Sequence, residues 1–286
     1  MKPRHPHDDN VSCDLCGEQK FDMLHAWEVG NFWNPASIPI AVWQCSSCEV
    51  VMLHPVPAAQ QLPAAGEWWT SERKFYRRRP WLKRIWKPTR VAIFGSKESR
   101  LIRKTRRLVP EGRLLDVGCG LGELMQEGRK HYDCVGLDPS PIAAQKIRDL
   151  GFPIIESTFE DADIPKGEFD AVMMDSVLEH VHSPTGVLAK VNHALRIGGA
   201  VVINVPKFNG PAYRRHGAGW NGFRHGYHTF LYTGQTLGKF LEKTGFEVVQ
   251  KPKRDRMLDD ILTLWGRKVR DVAGEFDTAI AENKAA

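Results

Sequence analysis

The chain has 286 residues, 42% of them hydrophobic and 26% charged, with a formal net charge of +6. That length accommodates one full α/β domain plus a small appendage. No apolar run approaches the roughly 20 residues of a membrane span, and the opening MKPRHPHDD lacks the apolar core of a secretory signal, so a cytoplasmic protein is expected.

The first feature along the chain is two Cys-x-x-Cys pairs: CDLC places Cys13 and Cys16, and CSSC places Cys45 and Cys48. Each turn aims two thiolates at one point, and two such turns make a tetrahedral four-sulfur site suited to zinc. Four protein ligands leave no position for water or substrate, so the expected zinc is structural. It would order a module, residues 1–70, too small to stabilise a core by itself. Cys119 and Cys134 fall in a glycine turn and a predicted core strand, and read as small buried thiols.

Residues 71–110 form a basic connector. Between Arg73 and Arg107 there are 15 Lys and Arg against one acid, Glu98, so the positive charge of the chain is concentrated here. Trp81, Leu82, Ile85 and Trp86, then Val91, Phe94, Leu101 and Leu108, space as two amphipathic helices broken at Pro88. Three accounts fit: a solvated face whose apolar stripe packs on the next domain; an interfacial pair on an anionic membrane, placing the protein peripherally at the inner membrane face; or a nucleic-acid contact.

The stretch LLDVGCGLGEL, Leu114 to Leu124, is an apolar strand with an acid at Asp116 that turns through Gly118, Gly120 and Gly122 into a helix start. Glycines here let a ligand approach the backbone. A Walker loop would end in Gly-Lys-Ser/Thr, which is absent, and a dinucleotide fingerprint would put glycine where Glu123 stands. Asp116 would repel a pyrophosphate and attract an ammonium group. CVGLDPS then ends a second strand in Asp138, 22 residues after Asp116, placed to hold ribose hydroxyls. A sulfonium with an amino-acid end and no phosphate fits both acids, which is S-adenosylmethionine.

Strands at Arg113–Val117, Cys134–Leu137, Ala171–Met174 and Ala200–Val205 alternate with helical stretches such as Pro141–Leu150, the pattern of a parallel βαβ sheet. Leu237–Thr244 reads as a late helix stopped by Gly245 before the strand FEVV. The tail, 252–286, with ILTLWGRKVRDVAGEF, reads as one amphipathic helix for packing or homodimer contact.

In order and spacing, LLDVGCGLGELM, VGLDPSP, FDAVMMDSVLEHVHSP and HALRIGGAVVINVP resemble the successive motifs of class I S-adenosylmethionine-dependent methyltransferases over 111–251. The resemblance implies an α/β, Rossmann-like fold: a seven-stranded, mostly parallel sheet with helices on both faces and an antiparallel last strand, preceded by the small zinc ribbon. The segment from CDLC to VVMLHPVP resembles the ribbon in front of bacterial methyltransferases of polysaccharide and secondary-metabolite neighbourhoods. STFEDADIP stands where the family contacts adenine, with Thr158 in the usual acid position and the Phe159 backbone and Glu160 as candidates.

Methyl transfer from a sulfonium is an in-line displacement, so the protein must align the nucleophile and remove its proton. DSVLEHV, after the fourth strand, places Asp175, Ser176, Glu179 and His180 near the donor methyl, with His180 the first candidate base. Related quinone O-methyltransferases carry Glu-x-x-Glu-His here with a divalent metal; Ser176 replaces the first Glu, so no catalytic magnesium is expected. GWNGFRHGYHTFLYT, Gly219 to Thr233, resembles an acceptor cap, with His225 and His228 as rival bases beside Arg224 and Tyr227. DSVLEH lacks the signatures of base-amine and pyrimidine C5 methylases, which favours a small-molecule or glycan acceptor over RNA. The reading is O-methylation of a sugar, glycan intermediate or other polar metabolite, against an RNA methyltransferase or a non-catalytic cofactor-binding subunit.

Overall fold

The computed structural model describes residues 3–29, 38–56, 96–249 and 260–272. The stretch 57–95, with the end of the expected front module and the Trp81 to Phe94 part of the connector, lies outside the described residues, as do 252–259 and 273–286 of the tail.

Two sheets organise the chain. The front sheet starts with β1 (Phe21–Trp27), β2 (Ile40–Cys45) and β3 (Val51–His54), all antiparallel. The connector's described end is α1 (Lys97–Thr105), capped by Ser96 and burying Leu101 and Ile102, while Arg103 and Lys104 are exposed. There follow β4 (Gly112–Val117), α2 (Glu123–Gly128), β5 (Tyr132–Leu137), α3 (Pro141–Asp149), β6 (Ile154–Ile155), β7 (Phe169–Asp175), α4 (Pro184–Ala194) and β8 (Leu195–Pro206). After α5 (Pro211–His216) and the short β9 (Phe230–Leu231) come α6 (Gly234–Lys243), β10 (Phe246–Val248) and β11 (Ile261–Lys268).

The second sheet has seven strands in the order β10-β11-β8-β7-β4-β5-β6. Strands β8 to β6 run parallel, and β11 runs antiparallel to both neighbours. The chain winds outward from β4 to β6 and then returns to β7 on the other flank of β4. A topological switch therefore falls between β4 and β7, and a crevice opens at their carboxyl ends. The helix starts agree with local chemistry: Ser140 and Ser183 cap α3 and α4 ahead of Pro141 and Pro184, and Thr233 forms a capping box with Thr236 at α6.

One expectation fails. Ile261–Lys268, read as part of a helical tail, is strand β11, inserted between β8 and β10, so the sheet reaches past residue 251. Leu262, Leu264 and Trp265 are all buried because an inner strand is covered on both faces. An apolar run of that kind has no two-residue alternation to distinguish it from a helix. Even Lys268 is buried, its ammonium donating to the carbonyls of Asn192 at 2.6 Å and Leu195 at 2.8 Å.

The front module is built into the rest rather than appended to it. β9 pairs antiparallel with β3, Val51 opposite Leu231 and Met52 opposite Phe230, which makes the front sheet four-stranded. A single apolar cluster runs from Leu15, Phe21 and Trp43 through Phe230 and Phe240 to Leu115 under the large sheet. Asp14, inside the first Cys-x-x-Cys turn, accepts from the Ser183 hydroxyl at 2.6 Å and the Thr185 N–H at 2.7 Å, completing the N-terminus of α4. Lys243 donates to the Leu15 carbonyl at 2.7 Å and Lys239 to that of Cys48 at 3.3 Å.

Candidate functional site

At the crevice, β4 ends on Val117 and turns at Gly118 with φ of 68°. A side chain there would be strained in the left-handed region, and its Cβ would lie 2.6 Å from Val177 Cγ2. Gly120, with φ of 52°, turns its N–H to Asp138 Oδ2 at 3.0 Å. The other oxygen of Asp138 accepts from the Ser140 N–H at 2.9 Å. Asp138 thus ties the glycine turn to the start of α3, and each oxygen retains a second lone pair for a ligand hydroxyl.

Asp116 is buried, and its carboxyl is held well above the usual carboxylate range, first by burial and then by the charges of Asp175, Asp138 and Glu123. Acids crowded into a dry crevice are stabilised by a cation. Asp175 already has one: Lys97 Nζ lies 2.7 Å from its Oδ1 and 2.6 Å from its Oδ2. Asn204 donates to Asp175 Oδ1 at 2.7 Å and accepts from the Thr263 hydroxyl at 2.7 Å, so β11 helps to fix that carboxylate. Asn204 lies within the HALRIGGAVVINVP motif and Lys97 within the basic connector, but neither is singled out there as a site residue, and Thr263 falls in the expected helical tail.

A short 3-10 turn, Leu178–His180, follows β7. The Tyr232 hydroxyl donates to the Leu178 carbonyl at 2.9 Å, and the Thr229 N–H donates to the Glu179 carbonyl at 2.7 Å. These bonds bring the end of the expected cap onto the motif. His180 Nδ1 lies 2.9 Å from the Tyr227 carbonyl, and His228 Nδ1 lies 2.6 Å from that of Gly222. A carbonyl only accepts, so both rings carry their proton on Nδ1. The rings meet edge to face with centroids 4.8 Å apart. Glu179 is 1% exposed, and its Oε2 makes no hydrogen bond among the described residues. Burial, followed by the negative charge of Asp175, pushes its carboxyl up to about 8. One ligand atom each from Glu179, His180 and His228 lies within 4.8 Å of the others. Glu179 was legible only as a neighbour of His180; its burial was not.

The other expected site residues are placed as follows. The backbone of His225 lies in the 3-10 segment Asn221–Gly226, while its side chain, with that of Arg224, lies outside the described residues. The Phe159 ring is in the core with Lys190 Nζ 5.6 Å from its centroid, and the Glu160 carbonyl accepts from Lys190. The cap is more ordered than a loop: Phe208, Tyr213, Trp220 and Phe223 pack together and onto Trp27 of β1. Cys119 and Cys134 are buried, and burial raises both thiols, Cys134 to about 12, which agrees with inert packing groups.

The four remaining cysteines converge. Cys13 Sγ lies 3.4 Å from Cys48 Sγ and Cys16 Sγ 3.6 Å from Cys45 Sγ, and all four lie within 4.8 Å of one another. Disulfide sulfurs sit about 2.0 Å apart, whereas sulfurs around zinc, with bonds of about 2.3 Å, sit about 3.8 Å apart. The observed spacing matches the second case. Gly17 and Glu49, one residue past each pair, both adopt positive φ, so the two turns have the same tight form.

Residues 94–251 match the methyltransferase domain family. A ubiquinone biosynthesis O-methyltransferase of Cereibacter sphaeroides is 28% identical over 182 residues, 58% of this chain and 72% of that protein. A tRNA U34 carboxymethyltransferase of Shewanella halifaxensis is 33% identical over 124 residues, 37% of each chain. The crystal structure of Burkholderia thailandensis 1,6-didemethyltoxoflavin-N1-methyltransferase, with bound 1,6-didemethyltoxoflavin and S-adenosylhomocysteine, is 18% identical at a TM-score of 0.49, covering 79% of this chain and 98% of that one. The chain belongs to the methyltransferase domain family and is an S-adenosylmethionine-dependent enzyme of that class. Its match to these curated relatives spans between about a third and three quarters of their length. Among the described residues no helix is long and apolar enough to cross a membrane.

Proposed function

We propose that this enzyme methylates a hydroxyl oxygen of a small polar acceptor, such as a sugar or glycan intermediate. The observation that carries the reading is the Glu179, His180 and His228 cluster next to Asp175, at the carboxyl end of β7. In this reading Asp138 would hold the donor's ribose and the glycine turn at Gly118 and Gly120 would admit it close to the backbone, with Asp116 attracting its cationic end and Asp175 alongside in its ion pair with Lys97. The Phe159 backbone and Glu160 would contact the adenine. His180 takes the acceptor proton through Nε2, since its Nδ1–H is committed to the Tyr227 carbonyl. The carbonyl then stabilises the imidazolium that forms. The hydroxyl oxygen bonds to the methyl carbon as the carbon–sulfur bond breaks, leaving neutral S-adenosylhomocysteine. The ubiquinone relative is named an O-methyltransferase, which supports oxygen as the acceptor atom. The test is donor-dependent methylation of a panel of hydroxyl acceptors, with product mass and position read by mass spectrometry. Methylation confined to nitrogen or carbon would overturn this reading.

The four cysteines would hold a structural zinc, a role supported by their number, their spacing and the absence of an open position. A second reading, RNA as acceptor, is favoured by Arg100, Arg103, Arg106 and Arg107 around α1 and by the tRNA-directed relative. RNA binding that weakens steeply with salt and is lost on neutralising these arginines would select it. A peripheral membrane contact through 73–107 is the rival account of the same basic stretch, and a homodimer is a separate expectation; flotation with anionic vesicles tests the first and light scattering the second.

A further inference from the structure

Lys97 is placed against the electrostatics of its own helix. It is the first residue of α1, directly after the Ser96 cap, where the helix dipole presents its positive end and disfavours a cation. Its ammonium is held instead by Asp175, 2.7 Å from Oδ1 and 2.6 Å from Oδ2. The two partners differ in freedom. Asp175 is fixed by the sheet, because Asn204 donates to its Oδ1 at 2.7 Å and is itself held by the Thr263 hydroxyl. The Lys97 side chain is 45% exposed on a flexible stem and can turn away, whereas that of Asp175 is 23% exposed. The pair lies among the crevice acids: the charge of Asp175 reaches Asp116, and the charges of both partners reach Glu179.

The donor's amino-acid end carries an ammonium and a carboxylate. An internal pair of opposite charges offers a partner to each, and neither protein charge lies unpaired in the crevice beforehand. We propose that the Lys97–Asp175 pair is the seat of that amino-acid end: Asp175 releases Lys97 and takes the ammonium, and Lys97 turns to the carboxylate. One ion pair opens and two form, with no proton moved and no covalent bond changed. The positive end of the α1 dipole, unfavourable to Lys97, favours a carboxylate brought beside it. The basic connector, whose last part is α1, thereby acquires a role at the donor site. The proposal rests on the crevice being the donor site and is independent of which acceptor atom is methylated.

Calorimetry on the full chain tests it with three ligands of equal sulfur charge. S-adenosylhomocysteine has both charged groups, decarboxylated S-adenosylhomocysteine keeps only the ammonium, and 5′-methylthioadenosine has neither. Opening the pair offsets part of the new contact, so the preference for the first ligand over the second is the quantity to read. The wild type should show a preference of about tenfold or more, the size of one charge-assisted contact. In Lys97→Met that preference should collapse, and the decarboxylated ligand should bind more tightly than to the wild type, because Asp175 no longer has a lysine to release. Lys97→Arg should restore the preference. Methylthioadenosine affinity should hold in both variants, which certifies their folding. A preference that survives in Lys97→Met, or an equal weakening of all three ligands, overturns the proposal while the donor site stands. Methylthioadenosine binding indifferent to Asp138→Ala would instead remove the donor from this crevice, and the proposal with it.

Discussion

The N–H of Thr229 donates to the carbonyl of Glu179 at 2.7 Å, while the Thr229 carbonyl accepts from the N–H of Leu53 at 2.8 Å. Thr229 thus joins the Leu178–His180 turn to β3, the strand that begins three residues after Cys48. The four-cysteine turns and the Glu179, His180 and His228 cluster are therefore linked through the backbone, so the front module is more than the small appendage expected from the sequence.

Cys45→Ser should therefore lower zinc content to below one per chain and reduce turnover as well. Donor affinity should change only a few-fold, because Asp116 on β4 and Asp138 just after β5 belong to the seven-stranded sheet and not to the front sheet that holds β3. Metal analysis, steady-state rates and calorimetry on one preparation check this; unaltered turnover with zinc lost would refute the connection.

His180→Ala should depress kcat by about 10²- to 10⁴-fold, the usual contribution of a positioned proton acceptor. Donor affinity should barely move. If the rate survives, the proton goes elsewhere, and His228 is the next side chain to remove.

Asp138→Ala removes the acceptor of the Gly120 and Ser140 N–H groups as well as the expected ribose contact. Donor affinity should fall about 10- to 100-fold, the equivalent of about 1.4 to 2.8 kcal/mol. Isothermal titration measures it directly, and wild-type affinity would remove Asp138 from the donor site.

Asp116 gives a pH signature. Its carboxyl is held above the ordinary range by burial and by neighbouring acids. In the donor-free protein it stays protonated over a window in which the unfolded chain is ionised. The native state then binds more protons, and stability falls as pH rises through that window. A cationic donor favours the ionised form, so donor binding should release a proton there and tighten with rising pH. Calorimetry in two buffers of different ionisation enthalpy counts that proton. Asp116→Asn should abolish the release; equal release from the variant would point to another group.

Lys268→Ala tests the inserted strand. It strips two buried carbonyls of their donor and should cost about 3 kcal/mol in urea unfolding. A loss below about 0.5 kcal/mol, the level of an ordinary surface change, would be inconsistent with Lys268 in this position.

The sequence alone determined the local and repeated features. Glycines at 118, 120 and 122, acids at the ends of β4 and β5, serine and proline at helix starts, and cysteines in pairs each act within a few residues, so spacing reveals them. Tertiary structure decided what depends on distant segments meeting. Ile261–Lys268 became a strand because β8 and β10 leave a gap with two covered faces, and burial there overrides helical periodicity. Glu179 became a buried acid whose Oε2 has no hydrogen bond among the described residues because the segment before β9 brings Thr229 and His228 against it, 49 residues further along the chain in the case of His228. Burial and proximity are properties of the packed chain, and no local pattern encodes them.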